Sequence, residues 1–354
     1  MVSTAVSRPA ELNIRLILRS ILRTISLGYG ALLLALIVLR LLRVTSPFAL
    51  TLLLSITPLL FVFLPIALAM AILSRSRAAV VTSLMLGAIA AFWLGGIYFT
   101  GAVATAAEEP IRVLVFNASG KDLARAYAEP WFNTRPADII LMQETFYTRQ
   151  GSGLSNVRET YPYQAVQPRT EAVNYRGVAT LSVYPIEEEG REGLGSESAF
   201  SRVVIDLDGV RVAVYNVSLP APFESDEAFS VSTLLRTYNT DVRDRALDLL
   251  IARLEQEDLP AIVGGEFNLT EFDPAYDRLA GMLTDTFREA GSGPGFTFPV
   301  AGGYSLDGLL RPILRLDYLW CDDTFRARSA VVGEPIPGSD RLPLLVELDR
   351  AGES

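Results

Sequence analysis

The sequence predicts two regions of different fold class: three N-terminal transmembrane α-helices, then an α/β domain of short strands mixed with helices. No charged residue lies between Val44 and Leu73 or between Ala78 and Ala107, and each stretch exceeds the ~20 apolar residues that cross a bilayer. Residues 1–107 hold eight arginines and one acid, so 23 of the 31 basic and 39 of the 40 acidic residues lie in 108–354. The two regions are therefore suited to different solvents.

The predicted transmembrane helices occupy the apolar runs of the first region. The first run, residues 24–39, reaches spanning length only if Arg23 and Arg40 extend to the two interfaces. An amphipathic interfacial helix suits the residues before Arg23, so we interpret that part as a basic lead-in to a spanning helix. Pro58 and Pro65 should kink the second helix. The predicted spans are about 23–42, 47–73 and 79–103.

The distribution of arginine sets the predicted orientation of these helices. Six arginines would face the cytoplasm, and two, Arg40 and Arg43, would face out. The chain is therefore predicted to be a multi-pass protein of the plasma membrane, with residues from 108 on outside the cytoplasm. The orientation inverts if the first helix does not span. The inner set is Arg8, Arg15, Arg19, Arg23, Arg75 and Arg77.

Two buried strands open the predicted α/β domain, and each ends on a polar residue. The apolar runs 111–117 and 138–144 end on Asn117 and Glu144, with a helix predicted between them at 121–133. Side chains at strand ends crowd around a cleft in layered α/β folds. A lone Asn or Glu there is usually a cap or a loop hydrogen bond, but the repetition of the pattern favours a functional site.

The spacing of apolar residues assigns the remaining elements. Residues 148–176 are predicted as a long polar loop, and Asp208-Gly209 predicts a hairpin turn. Apolar residues between Leu247 and Leu254 recur at helical spacing. The predicted elements are a strand with a turn at 177–186, hairpin strands at 202–207 and 210–216, a helix at 241–256, a strand at 260–263, a helix near 274–281, and strands at 315–320 and 344–348.

Several short motifs, in order and in register, resemble those of a known family. They are Gln143-Glu144, Gly264-Gly265-Glu266-Phe267-Asn268, Ser339-Asp340-Arg341, and the segments 177–186, 216–220, 296–298 and 315–318. Together they resemble the endonuclease/exonuclease/phosphatase superfamily, and the helical anchor resembles its bacterial membrane-attached branch. The resemblance covers 111–349 and implies a four-layer α/β sandwich, in which helices flank two packed mixed β-sheets. It implies an anchor, 1–107, and a domain, 108–350.

The resemblance also implies the residues of a Mg²⁺-dependent phosphoesterase, with Mn²⁺ as the other metal to consider. Glu144 would be the principal metal ligand, with Asn117 and Asp340 near the ion, because a hard cation prefers oxygen donors. Glu266 would position or deprotonate the attacking water, and Asn268 would contact phosphate. The predicted catalytic set is Glu266, Asn268, Asp317, Asp340 and Arg341, and the weaker candidates for substrate contact are Asn216 and Arg176.

Two positions depart from the family pattern and leave the activity open. The chain has no histidine, and Arg341 stands where the family has the histidine of Ser-Asp-His. A guanidinium has no acceptor and stays protonated, so Arg341 cannot transfer a proton, although it can hold phosphate. By resemblance Asp317 is its partner, and a salt bridge that ties two loops is an equal alternative. Glu266 replaces an aspartate, which moves its oxygens by about an ångström.

Charge and cysteine content restrict the partners. The acidic excess after residue 107 argues against long duplex nucleic acid, so a phosphorylated small molecule or a lipid is predicted, besides the lipid bilayer itself. No protein partner can be identified. The single cysteine, Cys321, excludes an intramolecular disulfide and a cysteine-based zinc site. Two functions stay open: a membrane-anchored phosphoesterase of weak activity, or a non-catalytic descendant that binds an anionic ligand or a partner protein in the former cleft.

Overall fold

The computed structural model of the chain describes residues 9–44, 46, 48–98, 109–119, 128, 130–146, 154–168, 176–190, 200–223, 236–300 and 312–351. These residues form two units. The helical unit lies within the chain up to Ile97, and the second unit, which contains two β-sheets, includes all residues from Tyr98 on. The helical unit has its own apolar core, in which Leu33, Leu64 and Leu86 are buried.

Two helices of the first unit are long and apolar enough to cross a membrane. They are α1 (Pro9–Leu41), with its apolar span at Ile14–Leu41, and α5 (Arg77–Tyr98), with its apolar span at Arg77–Gly96. Length and composition make both of them candidate anchors, and a helix near an N-terminus can equally be a signal sequence.

The second predicted span is not one helix. Pro58 and Pro65 each stand in the first turn of a new helix, where the missing N–H of proline is tolerated. Inside a continuous helix each ring would remove a hydrogen bond and clash with the preceding turn. The predicted kinks are therefore breaks, and three transmembrane helices are not confirmed. The pieces are α2 (Ala49–Ser55), α3 (Thr57–Leu60) and α4 (Leu64–Leu73), with a 3₁₀ turn at Phe61–Phe63.

The second unit contains two six-stranded mixed β-sheets, which confirms the predicted α/β class. In spatial order, the first sheet consists of β11 (Phe325–Val332), β12 (Leu344–Arg350), β1 (Ile111–Asn117), β2 (Ile139–Phe146), β4 (Arg176–Ser182) and β3 (Tyr163–Pro168). The second consists of β5 (Ile186–Gly190), β6 (Phe200–Leu207), β7 (Val210–Ser218), β8 (Ala261–Glu266), β10 (Asp317–Cys321) and β9 (Thr284–Asp285). One central pair is parallel in each sheet, β1 with β2 and β7 with β8.

The predicted polar loop at 148–176 is partly regular structure. Its described residues include a 3₁₀ turn at Ser155–Val157 and the edge strand β3, which pairs with β4. Polar residues interrupt the apolar pattern in β3, because an edge strand buries fewer of its side chains than a central one. The remaining residues of that loop, 148–153 and 169–175, lie outside the described residues.

The two sheets pack through one face of each central strand. Strand alternation directs every second residue of β1, β2, β7, β8 and β10 into the space between the sheets. Gly264 allows a close approach there, because a Cβ at this position would lie 2.6 Å from Cδ1 of both Leu141 and Leu319. The innermost layer of this apolar core consists of Val115, Leu141, Val214, Gly264 and Leu319.

Helical segments cover the outer faces of both sheets. Leu247 and Leu250 of α6 (Asp241–Leu254) pack against the outer face of the second sheet with Trp320. Phe132 packs in the same way on the first sheet, but most of the helix predicted at 121–133 lies outside the described residues. Two short helices, α7 (Tyr276–Ala280) and α8 (Thr286–Ala290), complete the described elements.

Candidate functional site

A layer of polar side chains closes one end of the apolar core between the sheets. In each strand the polar residue lies two positions from a residue of the innermost apolar layer, so both point to the same face. Glu266 is only 1% exposed and Asp317 only 2%, a degree of burial that is costly for carboxylates without partners. The layer consists of Asn117, Gln143, Asn216, Glu266 and Asp317.

Both carboxylate oxygens of Glu266 accept hydrogen bonds from other segments. Oε2 accepts from Nδ2 of Asn117 at 2.8 Å, and Oε1 accepts from Nη2 of Arg341 in a buried ion pair. Burial raises the pKa of the Glu266 carboxyl, and the Arg341 guanidinium opposes that shift. The residue predicted to act on water is therefore fixed between an amide and a permanent cation.

Two serine hydroxyls tie the loop at residues 339–341 to the end of β1. Ser339 Oγ donates to the carbonyl of Asn117 at 2.7 Å and accepts from the Arg341 amide at 3.0 Å. Ser119 Oγ donates to Oδ1 of Asp340 and accepts from the Asp340 amide at 3.0 Å. These contacts bring Asn117 and Asp340, both predicted on the metal side, to one place.

The guanidinium of Arg341 is buried but only partly hydrogen-bonded. It lies 4.2 Å from the centroid of the Phe298 ring, a cation–π contact that fixes its plane, and its Nε lies 3.7 Å from Oδ1 of Asp340. Within the described part of the chain, Nε and Nη1 have no hydrogen-bond acceptor. Burial alone lowers the pKa of Arg341, but the carboxylates led by Glu266 raise it above its ordinary value. Its charge is permanent.

Asp317 is the cross-strand neighbour of Glu266, and the predicted pair of Asp317 with Arg341 is not formed. The register of β8 and β10 places Asp317 opposite Glu266, so both side chains lie on one face. Among the described residues no donor reaches either Asp317 oxygen, and Arg341 pairs with the longer Glu266 instead. Burial raises the pKa of Asp317, and Arg341 and the nearby Thr297 hydroxyl oppose this shift. The Thr297 hydroxyl makes no hydrogen bond of normal geometry to the Asp317 carboxylate.

A β-bulge changes the direction of Glu144 near the end of β2. The pairing of β2 with β4 shifts register between Met142 and Thr145, and Glu144 has a left-handed φ of 50°. Without the bulge, alternation would place Glu144 on the outer face of the sheet with Met142. Its charge raises the pKa of both Glu266 and Asp317, so it lies within electrostatic reach of them. Sequence patterning gave no sign of this bulge.

Asn268 adopts a left-handed conformation, with φ 51°, just after β8. Its Nδ2 donates to the carbonyl of Leu219 at 2.8 Å, and its own carbonyl accepts from Nη1 of Arg243 at 3.1 Å. The same Arg243 nitrogen lies 2.7 Å from Oδ2 of Asp273. Sequence reasoning missed Arg243, although a charged residue four positions before Leu247 lies on the apolar stripe of α6 and is a recognisable signal.

A family model matches residues 114–341 of this chain, which is more than half of its length. The model describes the Endonuclease/Exonuclease/phosphatase family. The chain belongs to this family. The match begins within β1 and ends at Arg341, so it includes every segment that contributes to the polar layer and its surroundings. No curated protein matches the chain.

Solved structures of the endonuclease/exonuclease/phosphatase family share the fold of the sheet unit. A family protein from Leptotrichia buccalis C-1013-b superposes with a TM-score of 0.52 at 17% identity, covering 68% of this chain and 99% of that one. A variant of the 3′ phosphatase NExo from Neisseria, bound to product DNA hairpin, gives 0.52 at 15% over 68% and 99%. An AP endonuclease from Archaeoglobus fulgidus gives 0.51 at 17% over 68% and 99%.

Within the family domain, the predicted substrate contacts lie in different settings. Asn216 is fully buried, and its Oδ1 accepts from Nε2 of Gln143 at 2.8 Å while its Nδ2 donates to the carbonyl of Ala179 at 2.9 Å. These bonds join the two sheets. Arg176 begins β4, but its side chain lies outside the described residues. Substrate contact by either residue stays a prediction.

The donor set of the family domain fits a hard cation that retains several waters. Within the described ranges, no group of three or more His, Cys, Asp or Glu side chains could hold a metal. Two carboxylates, Glu144 and Asp340, and the amide oxygen of Asn117 remain, and that oxygen accepts one hydrogen bond, from the Ser119 amide at 2.7 Å. Mg²⁺ is commonly held by one or two carboxylates together with substrate phosphate. The ligand set itself stays a prediction.

Proposed function

We propose that this protein is a membrane-anchored, metal-dependent phosphoric-ester hydrolase. One observation carries the proposal: side chains from distant segments of the family domain meet at one end of the inter-sheet core around a buried cation, Arg341. Four carboxylates contribute to the electrostatics of that guanidinium. An acidic cluster of this kind, beside a fixed cation, suits a reaction in which a divalent metal and a phosphoryl group are bound together. The carboxylates are Glu144, Glu266, Asp317 and Asp340.

Mg²⁺ or Mn²⁺, held by Glu144 and Asp340 with the amide oxygen of Asn117, would neutralise the phosphoryl oxygens when bound. Side chains of the protein would bind the phosphoryl group and stabilise its charge. Two buried nitrogens of Arg341, Nε and Nη1, have no hydrogen-bond acceptor within the described residues, and they would hold a phosphoryl oxygen and stabilise its developing charge. Arg341 cannot deliver a proton, and losing such help typically costs about 10²–10⁴-fold, so the proposed rate is slow.

The proposed substrates are phosphorylated small molecules or lipids. The related solved structures include a 3′ phosphatase with bound product DNA and an AP endonuclease, which supports phosphoric-ester chemistry as a class. The acidic excess after residue 107 disfavours long duplex nucleic acid, since phosphate backbones bind chiefly to Lys and Arg.

Wild-type protein in detergent is expected to hydrolyse bis(p-nitrophenyl) phosphate only when Mg²⁺ or Mn²⁺ is present. Glu144→Ala should abolish turnover, because it removes the principal metal ligand, whereas Glu255→Ala, at an exposed position after α6, should match wild type. Release of p-nitrophenol measures both. Absence of metal-dependent turnover in folded wild type would contradict the proposal.

A non-catalytic function is the second candidate, and the geometry of Glu266 favours it. Both of its oxygens are already engaged by Asn117 and Arg341, which leaves it poorly placed to orient water. The cleft would then bind an anionic ligand or a partner protein. Turnover that appears only in the double variant Glu266→Asp/Arg341→His would support this candidate.

The proposed membrane topology puts the family domain outside the cytoplasm, at the plasma membrane. Its support is the arginine distribution around α1 and α5. Arginines precede both helices, so both would enter the bilayer from the cytoplasmic side, and the proposal requires the segment of α2, α3 and α4 to cross the membrane between them. A reporter fused after Glu109 that is active only outside the cytoplasm is expected to give a signal. A reporter active only in the cytoplasm, fused at the same site, should give no signal, and a signal from it would contradict the proposed orientation. Recovery of the full-length protein without membranes would contradict the proposed anchor.

A further inference from the structure

Two carboxylates lie side by side at the closed end of the inter-sheet core, and they are bonded differently. Glu266 ends β8 and Asp317 begins β10, and the antiparallel register places them opposite each other on one face. Both are almost completely buried. Opposed residues of this type have Cβ atoms about 4.5–5.5 Å apart, so either carboxylate could serve the same small region of space.

Glu266 has no oxygen left without a hydrogen bond. Oε2 accepts from Asn117 and Oε1 from Arg341. The Arg341 guanidinium is itself held against the Phe298 ring, and the loop that carries it is fixed by two backbone bonds, from Val300 N to Asp340 O and from Leu342 N to Thr297 O, each 2.9 Å. Glu266 is therefore a positioning group for Arg341.

Asp317 is in the opposite state. Among the described residues, neither of its oxygens accepts a hydrogen bond of normal geometry, although the Thr297 hydroxyl lies nearby. A buried carboxylate offers about four acceptor sites, and leaving them empty is costly, so such a group in a folded protein calls for a donor that belongs to water or to a ligand. In the described part of the chain, the groups that act on it electrostatically or lie opposite it are Arg341, Glu266, Glu144, Asp340 and the Thr297 hydroxyl, and of these Arg341 carries positive charge.

We propose that Asp317, rather than Glu266, accepts the proton of the attacking water. The step rests on the hydrolase function proposed above. The water oxygen forms the new bond to phosphorus while one O–H bond breaks and its proton passes to an Oδ of Asp317. The bond from phosphorus to the ester oxygen breaks, and the leaving oxygen keeps the electron pair and takes a proton from solvent. Arg341, fixed by Glu266, stabilises the charge on the phosphoryl oxygens.

The experiment compares two isosteric substitutions in the full-length protein in detergent, with bis(p-nitrophenyl) phosphate and Mg²⁺ or Mn²⁺. Asp317→Asn is expected to lower kcat by about 10²–10⁴-fold with little change in KM, because it removes a proton acceptor. Glu266→Gln should cause a smaller loss, since an amide still accepts from Arg341. Asp317→Ala serves as the second variant, and added formate should restore part of its turnover. Circular dichroism checks the fold of each.

The possible results distinguish failure of the proposed role of Asp317 from failure of the proposed hydrolase function. A wild type without metal-dependent turnover overturns both. If the wild type is active, two results overturn only the assignment of Asp317. One is a loss of activity in Glu266→Gln as large as that in Asp317→Asn, and the other is an Asp317→Asn variant whose activity stays within a few-fold of wild type. Formate rescue of Asp317→Ala but not of Glu266→Ala supports it, because a purely structural carboxylate would not respond to a free base.

Discussion

Replacing Arg341 with methionine is expected to lower the free energy of unfolding by about 3–5 kcal/mol, the range for breaking a buried ion pair from one side. The substitution keeps an unbranched side chain over the Phe298 ring but leaves the Glu266 carboxylate buried, with Asn117 as its remaining donor among the described residues. The penalty arises chiefly from the charge left behind, because the carboxylate loses its counterion without gaining water. Chemical denaturation of the full-length protein, followed by circular dichroism, measures it.

A double-mutant cycle tests whether the pair itself is responsible. Glu266→Gln combined with Arg341→Met should cost less than the two single changes added together, since no ionised carboxylate remains to be paired. The matched control is Arg211→Met, which removes an arginine from an exposed pair with Glu187 and should change stability little. Equal effects of Arg341→Met and Arg211→Met would show that burial of the Glu266–Arg341 pair does not matter.

The positions of the site residues could be predicted from the sequence because strand alternation is simple geometry. The apolar runs fix which face of each strand is buried, and a polar residue two positions along, such as Asn117 or Glu266, must lie on that face at the end of the core. Asn117 and Glu266 do meet, through a hydrogen bond of 2.8 Å. Regular patterning therefore locates such a site even when its chemistry is altered.

The pairing within the site could not be predicted, because it depends on side-chain reach. The family resemblance implied Asp317 as the partner of Arg341, but Glu266, one methylene longer than the family's aspartate, makes the ion pair. The bulge at Glu144 was also beyond prediction: the sequence of β2 shows an uninterrupted strand, and only the pairing with β4 reveals the extra residue. Patterning likewise could not tell a proline kink from a break at Pro58.

Gly265→Ala is expected to prevent stable folding of the family domain. Gly265 has φ +143°, and an added Cβ would lie 1.9 Å from the carbonyl oxygen of Val217, its register partner on β7. The nearest atoms are all backbone, so no side-chain rotation relieves the clash, and the parallel pair of β7 and β8 would have to separate. The expected cost exceeds about 4 kcal/mol, visible as loss of the cooperative unfolding transition.

Gly209→Ala separates the clash from the conformational strain. Gly209 also has positive φ, +90°, but a Cβ there meets no atom within 4 Å, so only strain of roughly 1–2 kcal/mol is expected. A Gly265→Ala protein as stable as Gly209→Ala would mean that β7 and β8 can move apart at little cost. The two adjacent glycines leave space for different neighbours: the absence of a Cβ at Gly264 lets two leucine side chains pack between the sheets, and its absence at Gly265 lets the backbone of β7 approach. Both are needed because Glu266 follows them immediately, and any outward shift of β8 would carry its carboxylate away from Asn117 and Arg341.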